Sequence, residues 1–107
     1  MAIRRNPAMP KDIYFDGKMH IIWQDGRHSV YTYWDLRTSC QCADCVDEYS
    51  GEKLLDDSTV DKDIYPVQSA YIGNYAIEFL WSDDHSAGIY TFENLRDIIP
   101  QEIKSVN

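Results

Sequence analysis

Hydrophobic and polar positions alternate along most of this chain, and the alternation breaks at recognisable turns. Lys11 to Phe15 reads as a first short strand, with Asp16-Gly17 opening a hairpin. Met19, Ile21 and Trp23 then alternate with His20, Ile22 and Gln24, the period of two that predicts a strand. Asp25-Gly26 marks the next turn, a strand follows from about His28 to Tyr33, and Trp34 to Ser39 predicts a short helix. The polar, acidic stretch from Val46 to Asp63 predicts a loop with one helical turn around Leu54 and Leu55.

Strands are expected again from Tyr65 to Ile72 and from Tyr75 to Trp81, split by a Gly73-Asn74 turn. In the second, Tyr75, Ile77, Phe79 and Trp81 would share one face, opposite Ala76, Glu78 and Leu80. A further strand near Ala87 to Tyr90 leads to a helix capped by Thr91, with Phe92, Leu95, Ile98 and Ile99 as its apolar stripe before Pro100 ends it. Residues 1–10, with Pro7 and Pro10, predict a flexible arm, and 11–107 a single domain. Five or six strands with two short helices predict an α+β fold, a two-layer sandwich of mainly antiparallel sheet with short helices.

One pattern occurs twice. Trp23-Gln24-Asp25, Val30-Tyr31-Thr32-Tyr33 and Leu36-Arg37 return in order as Trp81-Ser82-Asp83, Ile89-Tyr90-Thr91-Phe92 and Leu95-Arg96. The offset is 58 residues and becomes 59 after one insertion. Ordered matches at a near-constant offset predict two copies of a strand–turn–strand–helix unit. Arg37 and Arg96 hold matching places and are expected to pair with carboxylates such as Asp25 or Asp83.

Charge narrows the partners. The chain has 107 residues and a net charge of −8, with basic residues scattered except for Arg4-Arg5. Nucleic-acid phosphates and anionic membrane surfaces would repel such a chain, so neither is an expected partner. The longest apolar runs, such as Ala76 to Trp81 with Glu78 inside it, are far too short to span a bilayer. Arg4-Arg5 is followed by Asn6-Pro7 rather than an apolar stretch, so a cytoplasmic location is expected. The expected partner is another protein.

The chemistry concentrates in Cys40-Gln41-Cys42-Ala43-Asp44-Cys45, which holds all three cysteines of the chain. An odd count without a secretory context argues against disulfides. Thiolates suit soft and borderline cations, and Cys-x-x-Cys is a common structural-zinc spacing. A closed zinc site needs a fourth ligand. His20, His28, His85, Asp44 and Asp47 are the candidates; His20, in mid-strand, reads as half-exposed, whereas His28 and His85 both follow a Trp-x-Asp turn. Spacing favours His85 over His28 without deciding between them. A full set of three thiolates and an imidazole would leave no open position for activating water, so no catalysis is expected.

These motifs together resemble the gamma-butyrobetaine hydroxylase-like N-terminal domain. The resemblance is carried by Trp23-Gln24-Asp25-Gly26, Leu36-Arg37, the Cys40–Cys45 loop, Gly73-Asn74-Tyr75, Trp81-Ser82-Asp83-Asp84-His85, Gly88-Ile89-Tyr90 and Leu95-Arg96, over roughly Tyr14 to Ile99. It implies zinc held by Cys40, Cys42, Cys45 and His85. The hydroxylases' iron motif, His-x-Asp or His-x-Glu, has no match here, since Ile22, Val30 and Ala87 stand two places after His20, His28 and His85. Related domains fused to ATPases that carry iron–sulfur clusters imply an alternative, in which the cysteine loop holds iron or a cluster during cluster assembly.

Overall fold

The computed structural model describes residues 9–40, 42, 45–47, 49–85 and 88–104. Among them the chain forms β1 (Pro10–Phe15), β2 (Met19–Trp23), β3 (His28–Tyr31), α1 (Tyr33–Thr38), β4 (Pro66–Ile72), β5 (Ala76–Trp81), β6 (Ile89–Thr91), α2 (Phe92–Asp97) and β7 (Glu102–Lys104). The strands divide into two antiparallel sheets, one ordered β1-β2-β3-β7 and the other β4-β5-β6. The α+β expectation therefore holds, with seven described strands in two sheets.

The two units fold alike. Each runs through three antiparallel strands into a helix, β1-β2-β3-α1 and β4-β5-β6-α2. Thr32 and Thr91 cap the helices with nearly the same backbone, φ/ψ of −73/149° and −68/148°, and their hydroxyls accept from Asp35 N and Asn94 N. A threonine at this place satisfies one N–H that the first turn leaves without a partner. Because Thr32 is a cap, β3 ends at Tyr31 and the first helix starts at Tyr33, one residue before its expected start.

The inner faces supply the core. Met19, Ile21, Trp23 and Tyr31 from the first sheet meet Ile77, Phe79, Trp81 and Tyr90 from the second, with Leu36 and Leu95 from the helices. Trp23 is fully buried and Trp81 is 1% exposed. Truncating such a side chain to alanine typically costs about 3–5 kcal/mol, more than most surface ion pairs contribute. Burial of these faces thus holds the sheets together, while polar contacts fix how they are aligned.

Local expectations shift where the chain turns. Tyr75 lies in the β4–β5 turn and is 54% exposed, while Ala76, expected on the outer face, is fully buried. The helical turn of the acidic loop forms at Asp57–Thr59, not at Leu54-Leu55, because the Asp56 carboxylate caps it by accepting from Ser58 N. α2 closes at Asp97, so Ile98 lies beyond it at 69% exposure while Ile99 turns back into the core. β7 escapes the periodicity reading, having one apolar residue in three. Pro10 belongs to β1 and Met9 O accepts from Gln24 N, whereas the rest of the expected arm, 1–8, lies outside the described residues. The expected strand start at Ala87 lies outside them as well.

Candidate metal centre

α1 ends at Ser39, where the backbone turns out of the helix, and Cys40 N donates to Arg37 O. Cys42 O accepts from both Cys45 N and Val46 N, and Cys45 O accepts from Leu54 N and Leu55 N. The described residues of the loop, Cys40, Cys42 and Cys45, are therefore each fastened by backbone hydrogen bonds. His85 comes from the other unit, at the end of the β5–β6 turn. Trp81 N donates to His85 O, and His85 N donates to Asp83 Oδ1, which fixes the histidine backbone from two sides.

The four side chains meet. His85 Nε2 lies 3.2 Å from Cys40 Sγ, 3.3 Å from Cys42 Sγ and 3.9 Å from Cys45 Sγ, and the four donor atoms all fall within 4.8 Å of one another. A zinc ion with bonds of about 2.3 Å to sulfur and about 2.0 Å to nitrogen separates its ligands by roughly 3.5–3.8 Å. The observed separations bracket that range, so the group could hold a metal ion. Cys40 and Cys45 are each 2% exposed. With protein alone around it, burial pushes the Cys40 thiol up to about 12, and burial raises Cys45 as well. Such surroundings disfavour a bare thiolate, and a cation at the meeting point would remove that penalty.

Other candidates go elsewhere. Asp47 Oδ1 accepts from Tyr49 N and Ser50 N in its own turn, and Asp44 lies outside the described residues. His28 Nε2 sits 2.9 Å from His20 Nδ1, and His20 Nε2 lies 2.7 Å from Asp16 Oδ1, a chain of contacts in the first sheet. His20, expected to be half-exposed, is 6% exposed and stacks on Tyr14 with ring centroids 4.4 Å apart.

Two supporting residues of the centre have no ligand role and only the repeat pattern points to them. Arg37 Nη1 donates to Cys45 Sγ at 3.7 Å while its Nε donates to Asp83 Oδ2 at 2.9 Å. One guanidinium thus links Cys45 to the turn that carries His85. Burial works against its charge, but Asp83 and Cys45 outweigh that and raise its pKa. The second residue is Gly88. A Cβ there would fall 2.8 Å from Cys40 Sγ, so only glycine leaves room for the sulfur. Its counterpart in the first unit is Ser29, whose hydroxyl accepts from Trp23 Nε1 at 2.8 Å.

The turn of the first unit has a polar contact set where the turn of the second unit meets the cysteines. Arg27 occupies the turn position of His85, since Trp23 N donates to Arg27 O as Trp81 N does to His85 O. Its Nη2 donates to Arg96 O and Gln101 Oε1, and Gln101 Nε2 donates to Leu95 O and Arg96 O. Protein hydrogen bonds bridge this turn to the residues after α2, whereas the turn of His85 meets the cysteines after α1.

The chain is similar to several known proteins. The family profile described as "Gamma-butyrobetaine hydroxylase-like, N-terminal" matches residues 14–96. A gamma-butyrobetaine dioxygenase from Pseudomonas sp. (strain AK-1) is 32% identical over 77 residues, covering 71% of this chain and 20% of that enzyme. The chain thus spans about a fifth of that relative. A crystal structure of a protein of unknown function from Acidithiobacillus ferrooxidans, assigned to the DUF971 family, aligns with a TM-score of 0.66 at 28% identity, covering 86% of this chain and 94% of that one. A solution NMR structure aligns with a TM-score of 0.70 at 17% identity, covering 92% and 74%, and shares the fold. Among the described residues no helix is long and apolar enough to cross a membrane.

Proposed function

The chain belongs to the gamma-butyrobetaine hydroxylase-like N-terminal family, and on that basis we propose that it is a small zinc-binding accessory or protein-interaction module with no catalysis of its own. Cys40, Cys42, Cys45 and His85 would hold the ion. The observation that carries this reading is their convergence from two separate units onto one point, with Arg37 bridging the same units beside them.

The chemistry of the donors supports a closed structural role. Three thiolates and a neutral imidazole fill the tetrahedral positions that zinc prefers and leave the ion with about one excess negative charge. Arg37 Nη1 lies 3.7 Å from Cys45 Sγ, one of these sulfurs, and so sets a positive charge beside the group. Bound zinc would supply cross-linking between the cysteine loop and the second turn. The cavity beside the centre, about 280 Å³ and bordered by Cys40, Val46, Lys53, Ile89, Tyr90 and Ile98, offers a contact surface rather than a set of acids and bases. Lys53, its charged member, is already paired with Asp57 at 2.6 Å.

Metal analysis of protein purified from cells tests the reading. One zinc per chain that resists mild chelation is the expected result. A coloured preparation containing iron would replace it with the iron–sulfur alternative, and a metal content unchanged in a Cys40→Ser, Cys42→Ser double variant would remove the site itself.

A further inference from the structure

One cluster of metal-binding side chains lies apart from the cysteine centre. On the first sheet Met19, Ile21 and Trp23 turn inward, which sends His20 to the opposite face with its cross-strand partner Tyr14. His28 pairs with Ile22 and so joins them on that face. The second unit sets Ala70 and Glu78 in the register places of Tyr14 and His20, so the shared fold does not require this cluster.

His20 is held from three sides. Its Nε2 lies 2.7 Å from Asp16 Oδ1, its ring stacks on Tyr14 with 9° between the planes, and its Nδ1 lies 2.9 Å from His28 Nε2. An ionised carboxylate only accepts, so Asp16 takes the Nε2 proton and neutral His20 turns the lone pair of Nδ1 toward His28. A carboxylate behind one ring nitrogen is the arrangement that orients a histidine for a metal on its other nitrogen. Nitrogens bound side by side to one ion, with bonds of about 2.0–2.1 Å, lie roughly 2.9–3.4 Å apart. The two imidazole nitrogens already stand at the short end of that range. Burial, followed by His20 and Lys104, holds His28 below its ordinary 6.5, so at neutral pH its imidazole is uncharged and can serve as a ligand.

We propose that His20 Nδ1 and His28 Nε2 chelate a divalent transition-metal ion of the class that favours imidazole (nickel, copper or zinc), at a second site separate from the cysteines. Without the ion, His28 donates through Nε2 to His20. On binding, His28 turns until both lone pairs meet at the ion, and its proton passes from Nε2 to Nδ1. The turn falls on His28 because that ring is only partly buried, whereas His20 is 6% exposed and fixed by its neighbours. Among the described residues no third histidine, cysteine or carboxylate converges on this pair, so water fills the remaining positions and the ion exchanges freely. The net charge of −8 draws cations to the surface, while Lys104, opposite His28 in the register, opposes them locally.

Calorimetric titration with nickel(II) tests this on the full chain first loaded with one equivalent of zinc, at about pH 7.5 where imidazole is deprotonated. One nickel per chain with a Kd below about 100 µM is expected, with the zinc retained. His28→Gln and His20→Gln should each weaken nickel binding at least tenfold, and Asp16→Ala, which removes the orienting carboxylate, about tenfold. Lys104→Gln should strengthen it. At about pH 5.5 protons compete for both nitrogens, and binding should fall. His28→Gln carries the test alone if circular dichroism shows that the variant at the more buried His20 misfolds. A wild-type chain that binds no nickel, or binding that a folded histidine variant retains, overturns the proposal. So does nickel that enters only by displacing the zinc.

Discussion

Arg37, in the last turn of α1, donates through Nε to Oδ2 of Asp83, in the turn that leads to His85, at 2.9 Å. The second unit returns the contact: Arg96 Nη2 pairs with Asp25 Oδ2 of the first. Tyrosines cross in the same way, with Tyr31 Oη donating to Leu95 O and Tyr90 Oη donating to Leu36 O. Each unit thus reaches for the other's turn and helix end, a reciprocal pattern that fixes the two halves in one alignment.

The two arginines differ in surroundings, and this gives a first prediction. The arginine side chains are buried alike, at 7% and 11% exposure, and their partners Asp83 and Asp25 are 35% and 45% exposed, but Arg37 also contacts Cys45. Removing one member of a largely buried pair leaves the other without compensation, so Arg37→Ala should cost about 2–3 kcal/mol. Loss of a group that supports a ligand should also reduce zinc affinity by about tenfold. Arg96→Ala should lower the melting temperature without changing zinc affinity. Competition with a chromophoric chelator measures the second quantity, and equal loss of zinc affinity in both variants would refute the assignment of Arg37 to the centre.

The cysteine cluster was legible in the sequence because its three thiols lie within six residues, where chemistry is local, whereas its meeting with His85 was implied by the resemblance and left open by spacing. The repeat made the arginine–aspartate pairs legible in kind, but not that they cross. Which aspartate Arg37 meets depends on how two whole units face each other, and no period along the chain encodes that. Gly88 was missed although a signal existed: aligning the units sets it against Ser29, a lone small-residue change beside the tryptophan. β7 was missed because Glu102-Ile103-Lys104 is short, and its strand character comes from pairing with β3.

Gly88 supplies a steric prediction. Gly88→Ala would drive its new methyl group to 2.8 Å from Cys40 Sγ. Either the loop shifts or the sulfur moves from the meeting point, at a cost of about 1–3 kcal/mol. Zinc affinity should fall with it. Gly26→Ala makes an instructive comparison, since a Cβ there meets nothing but the backbone sits at φ of 92°. That variant should lose stability through strain and keep its zinc affinity. If Gly88→Ala binds zinc as well as wild type, the tight contact with Cys40 is not limiting.

The histidine pair of the first sheet predicts a pH dependence separate from the metal. Burial holds the His28 imidazole below its ordinary value of 6.5, with His20 and Lys104 acting the same way and Asp16 opposing them. The folded state therefore prefers neutral His28, and the unfolded chain takes up the proton first as pH falls. The contribution of His28 is present above pH 6.5 and is lost below it. Urea midpoints measured between pH 7 and pH 5 should fall, and His28→Gln should flatten part of that slope. A directly titrated His28 with a pKa at or above 6.5 would exclude this account.

His85 occupies the turn position that Arg27 fills in the first unit, and this frames the last prediction. At the first turn, Arg27 Nη2 donates to Arg96 O and Gln101 Oε1, so protein groups bridge that junction. At the second turn the corresponding closure would run through the ion, and binding energy there is folding energy. His85→Ala should reduce zinc affinity by at least about a hundredfold, with the melting temperature falling in parallel. His28→Ala should bind zinc as wild type does. His85→Cys should restore binding, because a fourth thiolate also completes a tetrahedral set. Chelation of the wild-type protein should then raise amide exchange in the cysteine loop and the Trp81–His85 turn, while the Arg27 turn stays protected. Equal exchange at both turns after chelation would show that the metal holds the whole domain rather than this one junction.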